Sequence, residues 1–182
     1  MKKHTKLIAL ICLTAVLFNL CTCNSKDNAP VDTTTELPNP MVQITDAKEF
    51  EHILGIPIDP QYLVGDVTMY IINNTIAELN YEVSDIEGNM ITCTLRAVKS
   101  ENITSDLSGV YDEMTETTAQ YSADDTITVT HKTPKTEPYE IYEFEYNENT
   151  YCFMYTEGNM STMLFGELFD GVFYAIGAKT IE

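Results

Sequence analysis

Positive charge is scarce in this sequence. It contains 10 lysine and arginine residues against 28 aspartate and glutamate residues, which gives a formal net charge of −18. Proteins that bind nucleic acids need basic patches to neutralise phosphates, and an anionic membrane surface also repels an acidic protein. The composition therefore argues against a nucleic-acid partner. It favours cationic ligands or metal ions as partners, or an acidic surface that only keeps the protein soluble.

The sequence also lacks the spacings of familiar catalytic and metal sites. Neither His52 nor His131 has a second histidine at zinc-ligand spacing, so each is predicted to be an ordinary surface histidine. There is no Gly-x-Ser-x-Gly elbow and no glycine-rich phosphate loop. The sequence therefore predicts no catalytic residue, no metal site and no cofactor.

Cysteine is sparse beyond the N-terminal region. Of the five cysteines, only Cys93 and Cys152 lie after residue 23. Two cysteines outside the cell can form a disulfide, but each of these lies in a strand-like run where a small buried side chain fits. We expect two free buried thiols, and a disulfide is the alternative.

The N-terminus has the layout of a secretory signal. Lys2, Lys3 and Lys6 form a basic region, and an apolar run follows from Leu7 to Phe18. A transmembrane helix needs about 20 apolar residues, so this run is short for an uncleaved anchor, which is the alternative. We predict that residues 1–22 are a lipoprotein signal peptide.

The apolar run closes with Leu20-Cys21-Thr22-Cys23. These residues resemble the bacterial lipobox, in which a small residue precedes an invariant cysteine, although Thr22 is larger than the usual residue. The resemblance implies that Cys23 carries diacylglycerol and becomes the first residue of the mature chain. Two acyl chains, at about 0.8 kcal/mol per buried CH₂, anchor a protein stably. The predicted location is the extracytoplasmic face of the cell membrane, with the lipid anchor as the membrane partner.

A tether separates the predicted anchor from the rest of the chain. Residues 23–40 contain acidic residues, threonines and Pro30, Pro38 and Pro40, with almost no large apolar side chains. Such a stretch cannot offset the entropy cost of ordering, and its prolines and charges keep it extended. Residues 41–182 are the right size for a single domain.

A short helix is predicted at the start of this domain. Asp46 can cap its N-terminus, and Gly55 is a natural stop before Pro57. The apolar stripe of the helix consists of Ala47, Phe50, Ile53 and Leu54. Their spacings of three and four residues place them on one side.

The spacing of apolar residues then changes to two, which predicts antiparallel strands. A meander is predicted over residues 67–71, 77–83 and 91–97, with a tight turn at Asn73-Asn74. Further strands are predicted over 126–130, 142–146, 151–155 and 160–165, and a loop over 132–138. Residues 99–123 are not assigned beyond a loop that leads into a bent or short strand. A C-terminal helix is predicted over 167–179, with Leu168, Val172, Ala175, Ile176 and Lys179 on one side. It is expected to cover the sheet, so the predicted fold is α+β with an antiparallel, meander-rich sheet.

Acidic residues gather in one region that could attract calcium. They are Asp112, Glu113, Glu116, Asp124 and Asp125. Carboxylate oxygens suit calcium, but their spacing is not that of an EF-hand loop. We therefore expect a solvated acidic surface, and a calcium site is the alternative.

Glu143 and Glu145 are the pair that glycoside hydrolysis would need. Two residues apart on one strand, they point the same way, whereas hydrolases oppose their carboxylates across a cleft. The nearby tyrosines are Tyr139, Tyr142, Tyr146, Tyr151 and Tyr155. Their alternation is typical of core and cross-strand packing.

Several short motifs follow the lipobox and the acidic tether in a fixed order. They are Asn39-Pro40-Met41-Val42, Leu54-Gly55-Ile56, Ile76-Ala77-Glu78-Leu79-Asn80-Tyr81, Leu95-Arg96 and Ser108-Gly109-Val110-Tyr111. This order resembles a family of uncharacterised lipoproteins from Gram-positive gut bacteria. In that family a helix and meander precede a β-rich C-terminal domain of unknown function. The resemblance covers most of the mature chain and implies no catalytic residue.

Two functions follow from these observations. The first is a lipid-anchored, non-catalytic binding or sensing domain at the cell surface. The alternative is a surface-anchored hydrolase that acts on wall or dietary polymers. A deep cleft with two facing carboxylates would favour the hydrolase, and a filled sheet with shallow concavities would favour the binding domain.

Overall fold

The domain is built around one eight-stranded antiparallel sheet, seen in a computed structural model that describes residues 41–104, 106–120, 127–156 and 160–180. These residues belong to one compact unit, Pro38–Glu182. The predicted signal peptide, 1–22, and tether, 23–40, lie outside the described residues. Within the described ranges, no helix combines the length and the apolar character needed to cross a bilayer.

The sheet consists of two four-stranded meanders. The first contains β1 (Met41–Ile44), β2 (Thr68–Ile72), β3 (Ile76–Ser84) and β4 (Met90–Lys99). The second contains β5 (Met114–Gln120), β6 (Thr128–Pro134), β7 (Tyr139–Tyr146) and β8 (Asn149–Thr156). Because β4 pairs with β8, the strand order is β1-β2-β3-β4-β8-β7-β6-β5. The antiparallel sheet, together with a C-terminal helix, confirms the predicted α+β class.

The C-terminal helix, α1, covers one face of the sheet and spans Thr162–Ala175. The predicted buried stripe is confirmed, with Leu168, Val172 and Ala175 packed into the main core. The strand predicted over 160–165 is wrong, because the helix begins there. Ser161 Oγ accepts a hydrogen bond from the Leu164 amide at 3.1 Å, and this cap starts the helix five residues earlier than predicted.

One glycine lets α1 approach the rest of the chain closely. A Cβ at Gly171 would lie 2.8 Å from the carbonyl oxygen of Tyr62, which is in the 3₁₀ turn Pro60–Tyr62. Glycine is therefore required at this crossing, although it lowers helix propensity.

The N-terminal helix is shorter than predicted. It is a single π-helical turn, Phe50–Leu54, and it ends as expected at Gly55, whose φ is 68°. Phe50 is buried, but Ile53 is exposed, so the predicted apolar stripe is wrong at that position. A π turn places more residues in each turn than an α-helix, which rotates Ile53 away from the core.

Apart from the strand over 160–165, the predicted strands are confirmed except at their edges, and so is the turn at Asn73-Asn74. Both residues of the Asn73-Asn74 turn have positive φ angles, 58° and 53°, as a tight hairpin requires. No strand was predicted for β1, and β5 lies inside the unassigned stretch. The loop predicted over 132–138 begins too early, because β6 continues to Pro134 by pairing with β5.

A crossover segment between β4 and β5 covers part of the second sheet face. Leu107 packs there in a small apolar cluster with Ile141. Arg96 fixes the segment: its Nη1 donates to the carbonyls of Leu107 and Ser108 at 3.1 and 2.8 Å. Its Nε donates to Glu78 Oε2 at 2.7 Å, so one guanidinium joins a buried carboxylate to the crossover backbone.

Candidate functional site

A groove of about 450 Å³ lies between α1 and the outer strands β5 and β6. Its volume lies in the range of ligand pockets, and apolar and aromatic side chains dominate its lining. The apolar lining consists of Ala119, Val129, Tyr142, Phe165 and Phe169. Thr117 and His131 add polar groups. We refer to this feature as the groove.

Helical spacing and one glycine shape the helix side of the groove. Phe165 and Phe169 are four residues apart, so both face the sheet from α1. Between them in sequence, Gly166 has nothing within 4 Å of the position where a Cβ would stand. The missing side chain leaves the groove open. The sequence analysis did not find this side of the groove because it placed Phe165 in a strand and Phe169 in a helix, although two aromatic residues at helical spacing were the available signal.

The strand side of the groove follows from the register of β5 and β6. Thr117 pairs with His131, and Ala119 pairs with Val129. Residues two apart on a strand point to the same face, so all four side chains lie on the α1 side of the sheet. Because β5 is the last strand, the groove is open along its outer side.

Tyr142 forms the aromatic floor of the groove. Its ring centroid lies 5.3 Å from Phe165, 5.3 Å from Phe169 and 6.1 Å from Tyr155, distances typical of favourable aromatic pairs. Burial raises the pKa values of Tyr142 and Tyr155, so both hydroxyls stay protonated near neutral pH. The prediction that tyrosines of these strands serve packing is confirmed for Tyr142, Tyr151 and Tyr155.

His131 lies at the rim of the groove with its side chain 35% exposed, and it contacts a carboxylate that the sequence did not pair with it. His131 Nε2 lies 2.5 Å from Glu140 Oε2, and the imidazole stacks on Tyr142 with centroids 4.5 Å apart. Thr133 Oγ1 donates to the same carboxylate oxygen at 3.1 Å. By contrast, His52 is exposed on the π-helical turn, as predicted.

The geometry around His131 does not match a catalytic triad. In a triad, one imidazole nitrogen contacts the nucleophile and the other contacts the orienting carboxylate. Here Glu140 and the Thr133 hydroxyl both approach Nε2, at 2.5 and 3.5 Å. Because both groups lie at the same nitrogen, they do not form the nucleophile–imidazole–carboxylate chain of a triad.

The acidic residues proposed for calcium have local partners instead. Asp112 accepts hydrogen bonds from the amide and hydroxyl of Thr136, and these bonds lower its pKa to about 2. Glu113 pairs with Lys135 at 2.9 Å. Within the described ranges, no three histidine, cysteine, aspartate or glutamate side chains come together as a metal site. Asp124 and Asp125 lie outside those ranges.

Glu143 and Glu145 point to the same face of β7, as predicted, and that face is opposite the groove. Glu143 Oε2 lies 2.5 Å from Lys132 Nζ, so its charge is already compensated. The pair therefore has neither the opposed geometry nor the free carboxylate that glycoside hydrolysis requires.

Both domain cysteines are buried and free. Cys93 pairs in register with Tyr155 on the core face, whereas Cys152 pairs with Arg96 and faces the second side of the sheet. Burial raises the pKa of Cys93 to about 12 and also raises the pKa of Cys152. The two thiols are therefore unreactive groups that cannot meet across the sheet. The predicted lipidation residue, Cys23, lies outside the described residues.

A wider depression of about 1030 Å³ lies beside the 3₁₀ turn and the end of α1. Two of its charged side chains already have partners: Asp59 accepts from the Gln61 amide at 3.1 Å, and Lys179 lies 5.1 Å from the Tyr174 ring. These contacts hold the turn and the chain end. The groove is the better ligand site because its aromatic floor is open at its outer side.

Comparison of this chain with protein-family models, curated proteins and solved structures found no match.

Proposed function

We propose that this protein is a lipid-anchored, extracytoplasmic binding domain that is not an enzyme and that holds an apolar part of its ligand in the groove. The observation that carries the proposal is the open groove beside a free sheet edge, with Tyr142, Phe165 and Phe169 exposed to its interior. Small-ligand sites characteristically combine an apolar cavity with a few polar groups, and here the His131–Glu140 pair supplies those groups.

The sequence supports the cellular part of the proposal. The basic and apolar N-terminal regions precede Cys23, and the tether of residues 23–40 would hold the domain clear of the lipid surface. The same features place the protein at the cell surface, where the family resemblance also points.

The hydrolase that acts on wall or dietary polymers has less support. Its proposed carboxylates share one strand face, and Glu143 is paired with Lys132. The carboxylate of Glu140 and the hydroxyl of Thr133 both lie at Nε2 of His131, which is not the arrangement of a catalytic triad.

The anchor is tested by metabolic labelling with a fatty-acid analogue. Cys23→Ala should lose the label and leave the membrane fraction, whereas Cys21→Ala should keep both. Label that persists in Cys23→Ala would assign the lipid to another residue and contradict the proposed anchor.

The groove is tested with a neutral, environment-sensitive dye such as Nile red and residues 24–182 expressed without the signal. Gly166→Leu fills the groove and should reduce dye binding at least tenfold. Met163→Leu is the matched control, because it places leucine on an exposed position of the same helix and should leave binding unchanged. Equal dye binding by both variants would exclude the groove as the apolar site.

A further inference from the structure

Among the residues that the structure describes, no strand pairs with the outer edge of β5. β5 is the last strand in the sheet order, and six of its seven residues are exposed. An edge strand presents backbone N–H and C=O groups that can pair with an added extended chain. The opposite edge, β1, spans only four residues. β5 is therefore the longer edge available for strand addition.

The register of β5 decides what an added strand would contact. Thr117 and Ala119 face the groove, whereas Glu116 pairs with Lys132 and faces the other side of the sheet. Side chains of an added strand would alternate in the same way. Every second residue would therefore enter the groove in front of Phe165 and Phe169, and the residues between them would lie beside Glu116.

The charges near β5 favour a basic partner. Glu116 Oε1 lies 3.9 Å from Lys132 Nζ, but that lysine lies only 2.5 Å from Glu143, so Glu116 is the less tightly held carboxylate. The Glu116 side chain is 56% exposed. β5 itself contains no basic residue, so a second copy of this strand could not supply the missing cation.

We propose that an extended polypeptide segment with alternating apolar and basic residues adds to β5 as a ninth strand. Its apolar side chains fill the groove, and a basic side chain pairs with Glu116. This inference rests on the proposed function, because it also places an apolar group of the ligand in the groove. It adds the chemical class of the partner, a polypeptide segment. The acidic charge of the whole chain, −18, favours the same partner over long range.

The test uses the full chain in phosphatidylcholine nanodiscs and a fluorescent seven-residue peptide of alternating leucine and lysine. Fluorescence anisotropy measures binding, and empty nanodiscs provide the blank. Two further peptides carry N-methyl groups on alternate sets of amides. Strand addition uses only one set of amides for pairing. One methylated peptide should therefore lose binding at least tenfold, and the other should bind within about threefold of the parent, a small change on the free-energy scale.

Charge variants separate the specific pair from general attraction. Glu116→Lys should weaken peptide binding at least tenfold. Glu145→Lys makes the same charge change at an exposed position on the same sheet face, away from β5. This variant should weaken peptide binding much less. Equal weakening by both variants, or equal binding of the two methylated peptides, would overturn strand addition.

Three outcomes separate this inference from the proposed function and from self-association. If Gly166→Leu abolishes dye binding but the methylated peptides bind alike, the groove function holds and strand addition fails. If Gly166→Leu changes neither dye nor peptide binding, the groove function itself fails. A dimer of the chain alone in analytical ultracentrifugation, lost in Glu116→Lys, would assign the edge to a second copy and overturn the peptide proposal.

Discussion

Arg96→Met should destabilise the domain by about 3 kcal/mol, because it leaves a buried carboxylate without its charge partner. The Glu78 side chain is 8% exposed, and Arg96 donates to it at 2.7 Å while also holding two carbonyls of the crossover. Removing one partner of a buried pair costs about 3–5 kcal/mol. Arg96 is itself 25% exposed, so the lower end of that range applies.

Urea unfolding of residues 24–182, followed by far-UV circular dichroism, measures this loss. At a slope of about 2 kcal/mol/M, a loss of 3 kcal/mol lowers the midpoint by about 1.5 M with the slope unchanged. Lys135→Met is the matched control. It breaks the Lys135–Glu113 pair, in which both side chains are at least 67% exposed, and should cost less than about 1 kcal/mol.

A double variant separates the effect of the unpaired buried charge from the effect of changing the size of the side chain at position 96. Glu78→Leu combined with Arg96→Met removes both charges and should recover much of the loss, because no ion is left buried. Two results would refute the reasoning. One is an Arg96→Met loss no larger than that of Lys135→Met, and the other is a double variant less stable than Arg96→Met alone.

Three further predictions follow from the local contacts. Hydrogen bonds lower the pKa of Asp112 to about 2, so the ionised carboxylate stabilises the fold fully above its ordinary pKa of about 3.9, and this stabilisation is lost as pH falls through 2. The melting temperature of Asp112→Asn should therefore lie below that of the wild type by a constant amount above about pH 5, and the difference should disappear near pH 2. Cys93 and Cys152 should react with a thiol reagent at pH 8 only after urea unfolding, and reaction in the native state would contradict their burial. Gly171→Ala should cost about 1–3 kcal/mol in urea unfolding through its clash with the Tyr62 carbonyl, and an unchanged midpoint would contradict that close approach.

Periodicity in the sequence predicted the parts of the fold that bury one apolar face. The alternation around Tyr151, Phe153 and Tyr155 predicted both faces of β8, and the spacing of Leu168 and Val172 predicted the covering helix. These signals are strong because the same spacing of apolar residues recurs at each buried position of the strand or helix. The strand order could not be predicted, since the pairing of β4 with β8 depends on contacts far apart in the sequence.

The elements that make the groove gave weak signals. β5 is an edge strand with the sequence MTETTAQ, and because both of its faces are largely exposed, it shows no apolar alternation. Phe165 was predicted to end a strand and Gly166 to lie between that strand and the C-terminal helix, whereas the Ser161 cap starts the helix before both residues. His131 lies on β6 and Glu140 on the adjacent strand β7, so only the register of these two strands brings the two side chains into contact.

The strand order also determines how mechanical load would pass through the domain. If the proposed tether carried a load, tension would enter at β1, whereas a strand held at β5 would pull from the other edge, roughly 34 Å away across seven gaps of about 4.8 Å. β1 pairs with β2 at four positions, and the connection of residues 45–67 lies behind it. We expect β1 to peel away first under tension. The four residues of β1 would lengthen the tether, while Phe50, Ile56 and Leu63 of the connection, which are buried in the main core, keep the rest of the domain and the groove folded.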